Sequence, residues 1–313
     1  MPATLTMDDS QTQYFADAFG ASLPLPADLD PNLEEAIRHV LDNPGTLVRP
    51  RLVFKVATSY GLDPGPAQDL AIALEYFHTA SLLFDDLPCM DDAQERRGVP
   101  CAHVVFGQAG AILAALALIN RAYALAWSTI AGSPYSRRAQ ALLYLERRLG
   151  VGGLLNGQSL DLHYSRLPHT RQTTERIAQG KTVSLIRLTL VLPAMLGGAH
   201  ERDLQLLERI ALYWGLAYQM VDDLKDVLQN SAQTGKTASR DVLLDRPNVA
   251  LVIGVQAAVE RLTRLIEFGD RTLRCLLQSR PDLEFLRNLR RDLETELVRV
   301  TQSARALAEG DRL

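Results

Sequence analysis

Apolar residues recur along most of this sequence at the spacing of an α-helix. The first such stripe follows Asp30, a candidate N-cap with proline at the next position. Glycine and proline separate the later stripes, and no segment alternates at the two-residue period of a strand. The predicted helical segments are 50–60, 66–87, 104–131, 136–159, 171–196, 201–229, 250–278 and 282–308. The pattern therefore predicts an all-α protein.

One stretch, 109–126, is apolar on almost every face. Such a helix is expected at the centre of a protein, with other helices around it. Bundles of long helices hold ligands and metals between facing helices, so we expect a large helical bundle around a central cavity. No linker or repeat interrupts 30–313, which predicts a single domain there. Residues 1–29 mix polar residues with Pro and Gly and are expected to be loosely held.

Composition and charge exclude several functional classes. The 313 residues include 33 Lys and Arg against 37 Asp and Glu, and the net charge of −4 disfavours nucleic acid as a partner. Three cysteines form neither a disulfide framework nor a zinc motif, so a cytoplasmic location is expected. The longest apolar run, 109–119, is shorter than the roughly 20 residues that span a bilayer, so no membrane span is expected. The first residues also lack the features of a secretory signal.

Two acidic clusters indicate where chemistry takes place. The first reads DDLPCMDD over 85–92, and Pro88 should end the preceding helix so that Asp91 returns toward Asp85. In the second, Asp222 and Asp226 are four residues apart and share one helix face. Carboxylates of this kind suit Mg²⁺, which takes few protein ligands and completes its shell with water and phosphate. A solvated acidic helix end is the alternative, and two clusters that follow apolar helices disfavour it.

Basic residues in polar breaks and at helix ends match these acidic clusters. Arginine offers phosphate oxygens a fork of donors, and lysine offers a point charge. Together with Mg²⁺ they predict a diphosphate site. The sequence has no GxxxxGK[ST] motif, which argues against a P-loop nucleotide site. These cations are Arg49, Arg51, Arg96, Arg97, Lys181 and Lys236.

The ordered motifs resemble the trans-polyprenyl diphosphate synthase family, most closely its bacterial geranylgeranyl diphosphate synthases. The motifs are GTLVRP (45–50), EYFHTASLLFDDLPCMDDAQERRG (75–98), AILAALALI (111–119), GVGGLLNGQSLDL (150–162), KTVSL (181–185), YQMVDDLKD (218–226) and TGK (234–236). The resemblance implies an all-α homodimer that condenses isopentenyl diphosphate with an allylic diphosphate. It also implies three Mg²⁺ ions and a product of the geranylgeranyl or farnesyl type.

The resemblance implies roles for individual residues. Asp85, Asp91 and Asp222 match magnesium ligands. Arg49, His78 and Arg97 match positions that hold isopentenyl diphosphate, although a lone His78 on an apolar helix would otherwise be interpreted as structural. The positions that contact the allylic diphosphate are Arg96, Lys181, Thr182, Gln219 and Lys236, of which the two lysines would stabilise the departing charge.

The sequence departs from the family pattern at two positions that bear on activity. Thr46 stands where a lysine is usual, with Arg51 or Lys55 as candidate replacements, and Val183 stands where a glycine is usual. One alternative is therefore a non-catalytic or weakly active regulatory subunit of a prenyl synthase. Another is a class I terpene cyclase, which the absence of an Asn/Ser/Glu triad at the second acidic cluster disfavours.

Product length is predicted from the helix that ends at Asp85. Ser81 and Ala80, four and five residues earlier, are both small. In the family, a bulky aromatic residue at this depth marks the fifteen-carbon synthases, so the resemblance implies a twenty-carbon geranylgeranyl product. Phe77, about 12 Å from Asp85 along the helix, is the candidate floor of the channel.

Overall fold

Helices make up nearly all of the structure. The computed structural model describes residues 9–234 and 246–310. The helices of the first half are α1 (Asp9–Ala21), α2 (Pro31–Leu41), α3 (Val48–Ser59), α4 (Pro64–Asp85), α5 (Ala102–Gly132) and α6 (Tyr135–Leu149). They are followed by α7 (Leu154–Leu162), α8 (Arg171–Ala178), α9 (Ser184–Gly197), α10 (Glu201–Thr234), α11 (Val249–Ile253), α12 (Val255–Ser279) and α13 (Arg287–Gly310). The predicted all-α class is confirmed.

Short elements complete the described chain. Strands β1 (Glu95–Arg96) and β2 (Val99–Pro100) form an antiparallel pair of two residues each, which the sequence pattern does not reveal. A π-helical turn, Gln179–Val183, joins α8 directly to α9. Turns of 3₁₀ helix lie at Tyr164–Arg166 and Pro281–Leu286.

The described residues form two compact units. The first contains the residues up to Leu142 together with Pro193–Gly198, and the second contains Leu143–Leu192 and the residues from Ala199 onward. In the first unit α4 packs along α5 and α3, and in the second α10 packs along α12 and α13. The single domain over 30–313 stays a prediction.

Part of the segment 1–29, for which a loosely held chain is predicted, forms helix α1 (Asp9–Ala21). Phe15 and Phe19 share one face of the helix and are buried. The Phe15 ring packs edge-on against Phe54 of α3, and the Phe19 ring packs against Tyr76 of α4. Two aromatic rings four residues apart therefore anchor a segment whose other positions are mostly polar.

Local sequence signals explain where the helices begin and break. Asp30 caps α2 as predicted, since its carboxylate accepts a hydrogen bond from the Leu33 amide at 3.1 Å. Glycines with positive φ divide segments that the periodicity presents as continuous. Gly254 (φ 83°) separates α11 from α12, and Gly107 (φ 73°) introduces a non-helical residue near the start of α5.

Helix α5 is not the surrounded central helix that its composition predicts. One face, rich in alanine, is buried and packs closely along α4. The opposite face exposes Ile112, Leu113, Leu116, Tyr123 and Trp127, each between 37% and 54% accessible. The described part of the chain leaves the apolar residues on this face uncovered, and that explains why the sequence shows no polar side.

Within residues 9–234 and 246–310, two helical stretches are long and apolar enough to cross a membrane, judged by length and composition alone. In Ala102–Gly132 only 28% of the apolar window is buried, whereas in Arg171–Gly197 67% is buried. The second value is typical of a core helix. The expected absence of a membrane span therefore stays a prediction for α5.

Candidate active site

The first acidic cluster forms a compact turn at the end of α4. The Asp91 amide donates to the Asp85 carbonyl at 2.9 Å, and the Ala93 amide donates to the Asp86 carbonyl at 3.2 Å. The chain after Pro88 therefore returns to the helix end, as predicted. This brings Asp91 beside Asp85, and both residues are partly accessible to solvent.

Asp86 differs from its neighbour Asp85 because it is buried and occupied by an arginine. Its carboxylate accepts from Arg96 Nε at 3.0 Å, and Arg96 Nη2 donates to the same oxygen. Arg96 lies on β1, so the ion pair ties the small hairpin to the acidic turn. Asp86 therefore positions Arg96 within the first unit, and the partly accessible Asp85 and Asp91 are the candidate metal ligands of this cluster.

A buried carboxylate, Glu75 of α4, lies between two predicted substrate-binding arginines. Its Oε2 is 3.7 Å from Arg49 Nη1, and its Oε1 is 3.9 Å from Arg97 Nη2. Glu75 is only 2% exposed, and its Oε2 has no hydrogen-bond partner among the described residues. At these separations it balances the charge of the two guanidinium groups without a direct hydrogen bond. Glu75 could not be identified from the sequence, because one acidic residue in an apolar helix forms no pattern.

Burial and nearby charge govern the titration of this cluster. Burial raises the pKa of Glu75, and Arg49 and Arg97 oppose that shift. Burial also lowers the pKa of His78 well below 6.5, and Arg49 and Arg97 lower it further. His78 is therefore neutral at pH 7, with a buried Nδ1 that has no hydrogen-bond partner in the described part of the chain.

The guanidinium group of Arg51 does not replace the lysine that is usual at the position of Thr46. The Arg51 side chain is buried and donates to the carbonyls of Leu47 (3.1 Å) and Thr46 (3.0 Å) and to Thr12 Oγ1 (2.7 Å). These contacts fix the start of α3 and hold α1. Arg51 is therefore structural, and the idea that it replaces the missing lysine is wrong.

Gly45 makes room for Arg97. Its φ is +75°, and a Cβ there would lie 2.6 Å from Arg97 Nε. Arg97, whose own φ is positive, also donates from Nη1 to the Asn43 carbonyl at 2.8 Å. The turn after α2 and the β1–β2 hairpin are therefore fitted to each other around this guanidinium group.

In the second unit, the π-helical turn carries Lys181 and Thr182. It is pressed against α7 through two glycines, since a Cβ on Gly157 would lie 2.3 Å from the Lys181 amide nitrogen. The added Cβ on Gly180 would in turn meet the Gly157 Cα at 2.7 Å. Turns of π-helix recur at functional sites, and the contact leaves no space for a side chain at either glycine.

Lys181 is paired with Asp161 of α7. Its Nζ lies 2.9 Å from Asp161 Oδ2, and Arg246 Nη1 lies 3.8 Å from the same oxygen. Asp161 is buried and therefore fixes both cations. Arg246 was not singled out from the sequence, since no motif marks it.

Asp223, the neighbour of Asp222, is used within the structure. Gln219 donates to its Oδ1 at 2.9 Å, and the Val249 amide at the start of α11 donates to its Oδ2 at 2.8 Å. Thr182 in turn donates to Gln219 Oε1 at 2.6 Å. The structure thus joins the predicted residues Thr182 and Gln219 through a chain that ends on a buried carboxylate.

Asp222 is oriented differently from Asp223 and is exposed to solvent. Desolvation by the surrounding protein raises the pKa of its carboxyl to about 6, an effect that this exposure limits. Asp226, one helical turn later, is half-buried. The predicted ligand of the second cluster is thus the aspartate that the fold leaves accessible.

Val183, the second departure from the family pattern, is accommodated by a glycine. Val183 is fully buried, and a Cβ on Gly215 of α10 would lie 2.9 Å from its Cγ2. The bulk added at 183 therefore occupies the space left at 215. The turn that carries Lys181 keeps a packed environment, so this substitution does not indicate an inactive subunit.

The chain-length residues occupy different faces of α4. Ala80 has no exposed surface, whereas Ser81 is partly accessible. Phe77 is buried, and its ring packs edge-on against Tyr123 of α5 with centroids 4.8 Å apart. Their effect on product length stays a prediction.

Lys236, which was predicted to contact the allylic diphosphate, lies outside the described residues.

The carboxylates fit Mg²⁺ rather than a closed metal site. The described residues contain no group of three or more His, Cys, Asp or Glu that could hold a metal ion by themselves. Mg²⁺ is bound through one or two carboxylates, with water and substrate phosphate as the other ligands. Asp85 with Asp91 in the first unit, and Asp222 in the second, offer this kind of donor set.

Comparison with known proteins agrees with these features. The family model for polyprenyl synthetases matches residues 30–273. Geranylgeranyl pyrophosphate synthase 3 of Arabidopsis thaliana chloroplasts is 36% identical over 254 residues, covering 79% of this chain and 69% of its own.

Solved structures share the fold. An apo FPP/GFPP synthase from Zymomonas mobilis is 26% identical, with a TM-score of 0.76 over 90% of this chain and 95% of its own. A Helicobacter pylori geranyltransferase, complexed with magnesium and isoprenyl diphosphate, is 23% identical. Its TM-score is 0.71 over 95% of this chain and 99% of its own.

Proposed function

The chain belongs to the polyprenyl synthetase family, and we propose that it is a Mg²⁺-dependent prenyltransferase that makes geranylgeranyl diphosphate from isopentenyl diphosphate and an allylic diphosphate. The observation that carries the proposal is the acidic turn of Asp85 and Asp91, with Arg96 and Arg97 held on the hairpin that follows. Relatives named geranylgeranyl pyrophosphate synthases support the product.

Residues of the first unit are suited to hold isopentenyl diphosphate. Arg49 and Arg97 provide charge-assisted donors, and neutral His78 adds a further polar group near them. Glu75 balances the two like charges at distances of 3.7 and 3.9 Å, and Arg49 Nη1 and Arg97 Nη2 are the donors beside it that would bind the ligand. We assign Glu75 a positioning role here.

The allylic substrate loses its diphosphate in the reaction. The allylic carbon–oxygen bond breaks with its electron pair on the diphosphate, and the double bond of isopentenyl diphosphate then forms the new carbon–carbon bond. A proton is lost last, to the departed diphosphate. Arg96 and Lys181 stabilise the negative charge on the departing diphosphate. Lys236 is assigned to the same task by the resemblance. Thr182 and Gln219 provide polar contacts that orient the allylic diphosphate.

Mg²⁺ is the cofactor in this proposal; Asp85 and Asp91 of the first unit and Asp222 of the second are the residues that would hold it. When bound, it supplies positive charge that stabilises the diphosphate leaving group. Support comes from the donor set and from the fold neighbour complexed with magnesium and isoprenyl diphosphate. The number of ions, three by the resemblance, is part of the proposal.

The experiment is incubation of the purified protein with Mg²⁺, isopentenyl diphosphate and each of the ten- and fifteen-carbon allylic diphosphates, followed by chromatography of the products. We expect a twenty-carbon diphosphate from both primers and none in the presence of a chelator. A mainly fifteen-carbon product would contradict the assigned chain length. Loss of all condensation would contradict the proposed reaction.

We further propose that the exposed face of α5 binds a second copy of the chain. Exposed apolar patches of this extent are rare on monomeric proteins and mark interaction sites. The face is continuous along one helix, from Ile112 to Trp127, and Tyr123 within it also packs on Phe77. A homodimer would remove these side chains from water.

Location in the cytoplasm also stays a proposal.

The dimer is tested by light scattering of the protein in buffer without detergent. We expect a mass near twice 34.6 kDa and a monomer for Leu116→Glu, whose charge would lie in the buried interface. Val298→Glu, at an apolar side chain of α13 that is 54% exposed, is the matched control and should stay dimeric. Recovery of the wild-type chain only with detergent or lipid would contradict the proposal and favour a membrane role for α5.

A further inference from the structure

The second acidic motif contains its own cation. Lys225 stands between Asp222 and Asp226 on α10. A lysine three residues after an aspartate on a helix is within reach of its carboxylate. If Lys225 paired with Asp222, its ammonium would compete with Mg²⁺ for that carboxylate.

The ammonium of Lys225 is bound elsewhere, by Glu296 of α13. Nζ of Lys225 lies 2.8 Å from Glu296 Oε2, and the other carboxylate oxygen accepts from Arg299 Nη1 at 2.8 Å. Glu296 is 2% exposed, whereas Asp222 is exposed to solvent. A buried carboxylate is screened less by water and salt than an exposed one, so Glu296 is the stronger partner for Lys225.

We propose that Glu296 is a positioning residue for the metal site: by holding Lys225 it leaves the Asp222 carboxylate available to Mg²⁺. The proposal rests on the proposed function, because it takes Asp222 as a magnesium ligand. Glu296 acts only through Lys225. It lies beyond residues 30–273, the part that matches the family model, so the family motifs do not assign it a role.

The test is Glu296→Gln, which keeps the shape of the side chain and removes its charge. Mg²⁺ binding is measured by calorimetry on the full chain in the presence of inorganic pyrophosphate, and the Mg²⁺ dependence of the rate is measured in parallel. We expect the apparent Mg²⁺ affinity to fall about two- to fivefold, the effect of one exposed ion pair formed by the released lysine. The rate at saturating Mg²⁺ should stay close to that of the wild type.

A second substitution separates this mechanism from structural damage. Lys225→Met added to Glu296→Gln removes the released cation and should restore the wild-type Mg²⁺ affinity. Arg299→Gln is the matched control, because Arg299 also pairs with Glu296 but its side chain is 63% exposed and stands outside the acidic motif. It should leave the Mg²⁺ affinity unchanged.

The outcomes distinguish this inference from the proposed function. An unchanged affinity in Glu296→Gln, or no rescue by Lys225→Met, would overturn the role of Glu296 while wild-type activity stands. Absence of Mg²⁺ binding and activity in the wild type would instead overturn the proposed function. Should Glu296→Gln fail to fold, Lys225→Met alone decides: an affinity at least equal to the wild type supports the proposal, and a weaker one refutes it.

Discussion

Ser81 offers the sharpest test of how this chain sets product length. From 3.6 residues per turn, Ser81 lies about 40° around α4 from Asp85, and Ala80 lies about 140° away. Both are about 6–8 Å from Asp85 along the axis. Ser81 is partly accessible and its hydroxyl donates to the His78 carbonyl at 2.7 Å, whereas Ala80 is fully buried. Ser81 and Ala80 are both small and nearly equidistant from Asp85 along the helix, but they lie on different faces of α4.

The substitutions Ser81→Phe and Ala80→Phe should have different effects. The ring at 81 enters accessible space on the Asp85 side, so the twenty-carbon share should fall below about a tenth, equivalent to roughly 1.4 kcal/mol of added barrier. The ring at 80 enters a packed core and should cost about 1–3 kcal/mol of unfolding free energy, or roughly 2–4 °C of melting temperature per kcal/mol.

The assay combines product chromatography with thermal denaturation of both variants. We expect Ser81→Phe to yield fifteen-carbon product with a melting temperature near that of the wild type. Ala80→Phe should melt earlier and keep its product. If Ser81→Phe still makes twenty-carbon product, or Ala80→Phe shortens it without loss of stability, the assignment of faces on α4 is wrong.

Three further predictions concern the proposed metal ligands, the cationic motif around Thr46 and the buried His78. Asp85→Ala and Asp222→Ala should each leave less than about a tenth of the wild-type rate, measured as pyrophosphate release, with no loss of melting temperature. Thr46→Lys should lower the Michaelis constant for isopentenyl diphosphate about tenfold by adding one charge-assisted contact, while Arg51→Ala should destabilise the fold. Because the pKa of His78 is depressed in the folded state, the unfolded chain takes up its proton first. The contribution of neutral His78 to the free energy of unfolding is therefore fully present above pH 6.5. It falls by up to about 1.4 kcal/mol per pH unit below that value. Urea unfolding of wild type and His78→Gln at pH 5.5 and 7.5 measures the difference, and equal pH dependence would exclude this residue as the cause.

Helical periodicity and capping residues predict most of the fold. Asp30 starts α2 because its carboxylate satisfies a free amide, and that signal is local. The breaks at Gly107 and Gly254 are harder to predict, since glycine also occurs inside helices. The face of α5 was predicted wrongly because an apolar helix looks the same whether protein surrounds it or another molecule covers one side.

The candidate site was predictable where residues are close in sequence. The return of Asp91 to Asp85 follows from Pro88 and the short loop. Glu75 and Glu296 could not be predicted, because their roles depend on partners that approach from other elements. The two aspartates next to predicted ligands, Asp86 and Asp223, illustrate the same limit, since only the tertiary structure shows that both are already occupied.

The most direct measurement of the central claim uses the purified chain with no other protein. Isotopically labelled isopentenyl diphosphate and the fifteen-carbon allylic diphosphate are incubated with Mg²⁺, and mass spectrometry and pyrophosphate release are followed together. We expect one labelled twenty-carbon diphosphate for each pyrophosphate released. Pyrophosphate release without isopentenyl diphosphate would indicate a cyclase or a hydrolase. Condensation only after addition of a homologous chain would indicate a regulatory subunit, and either result would contradict the account.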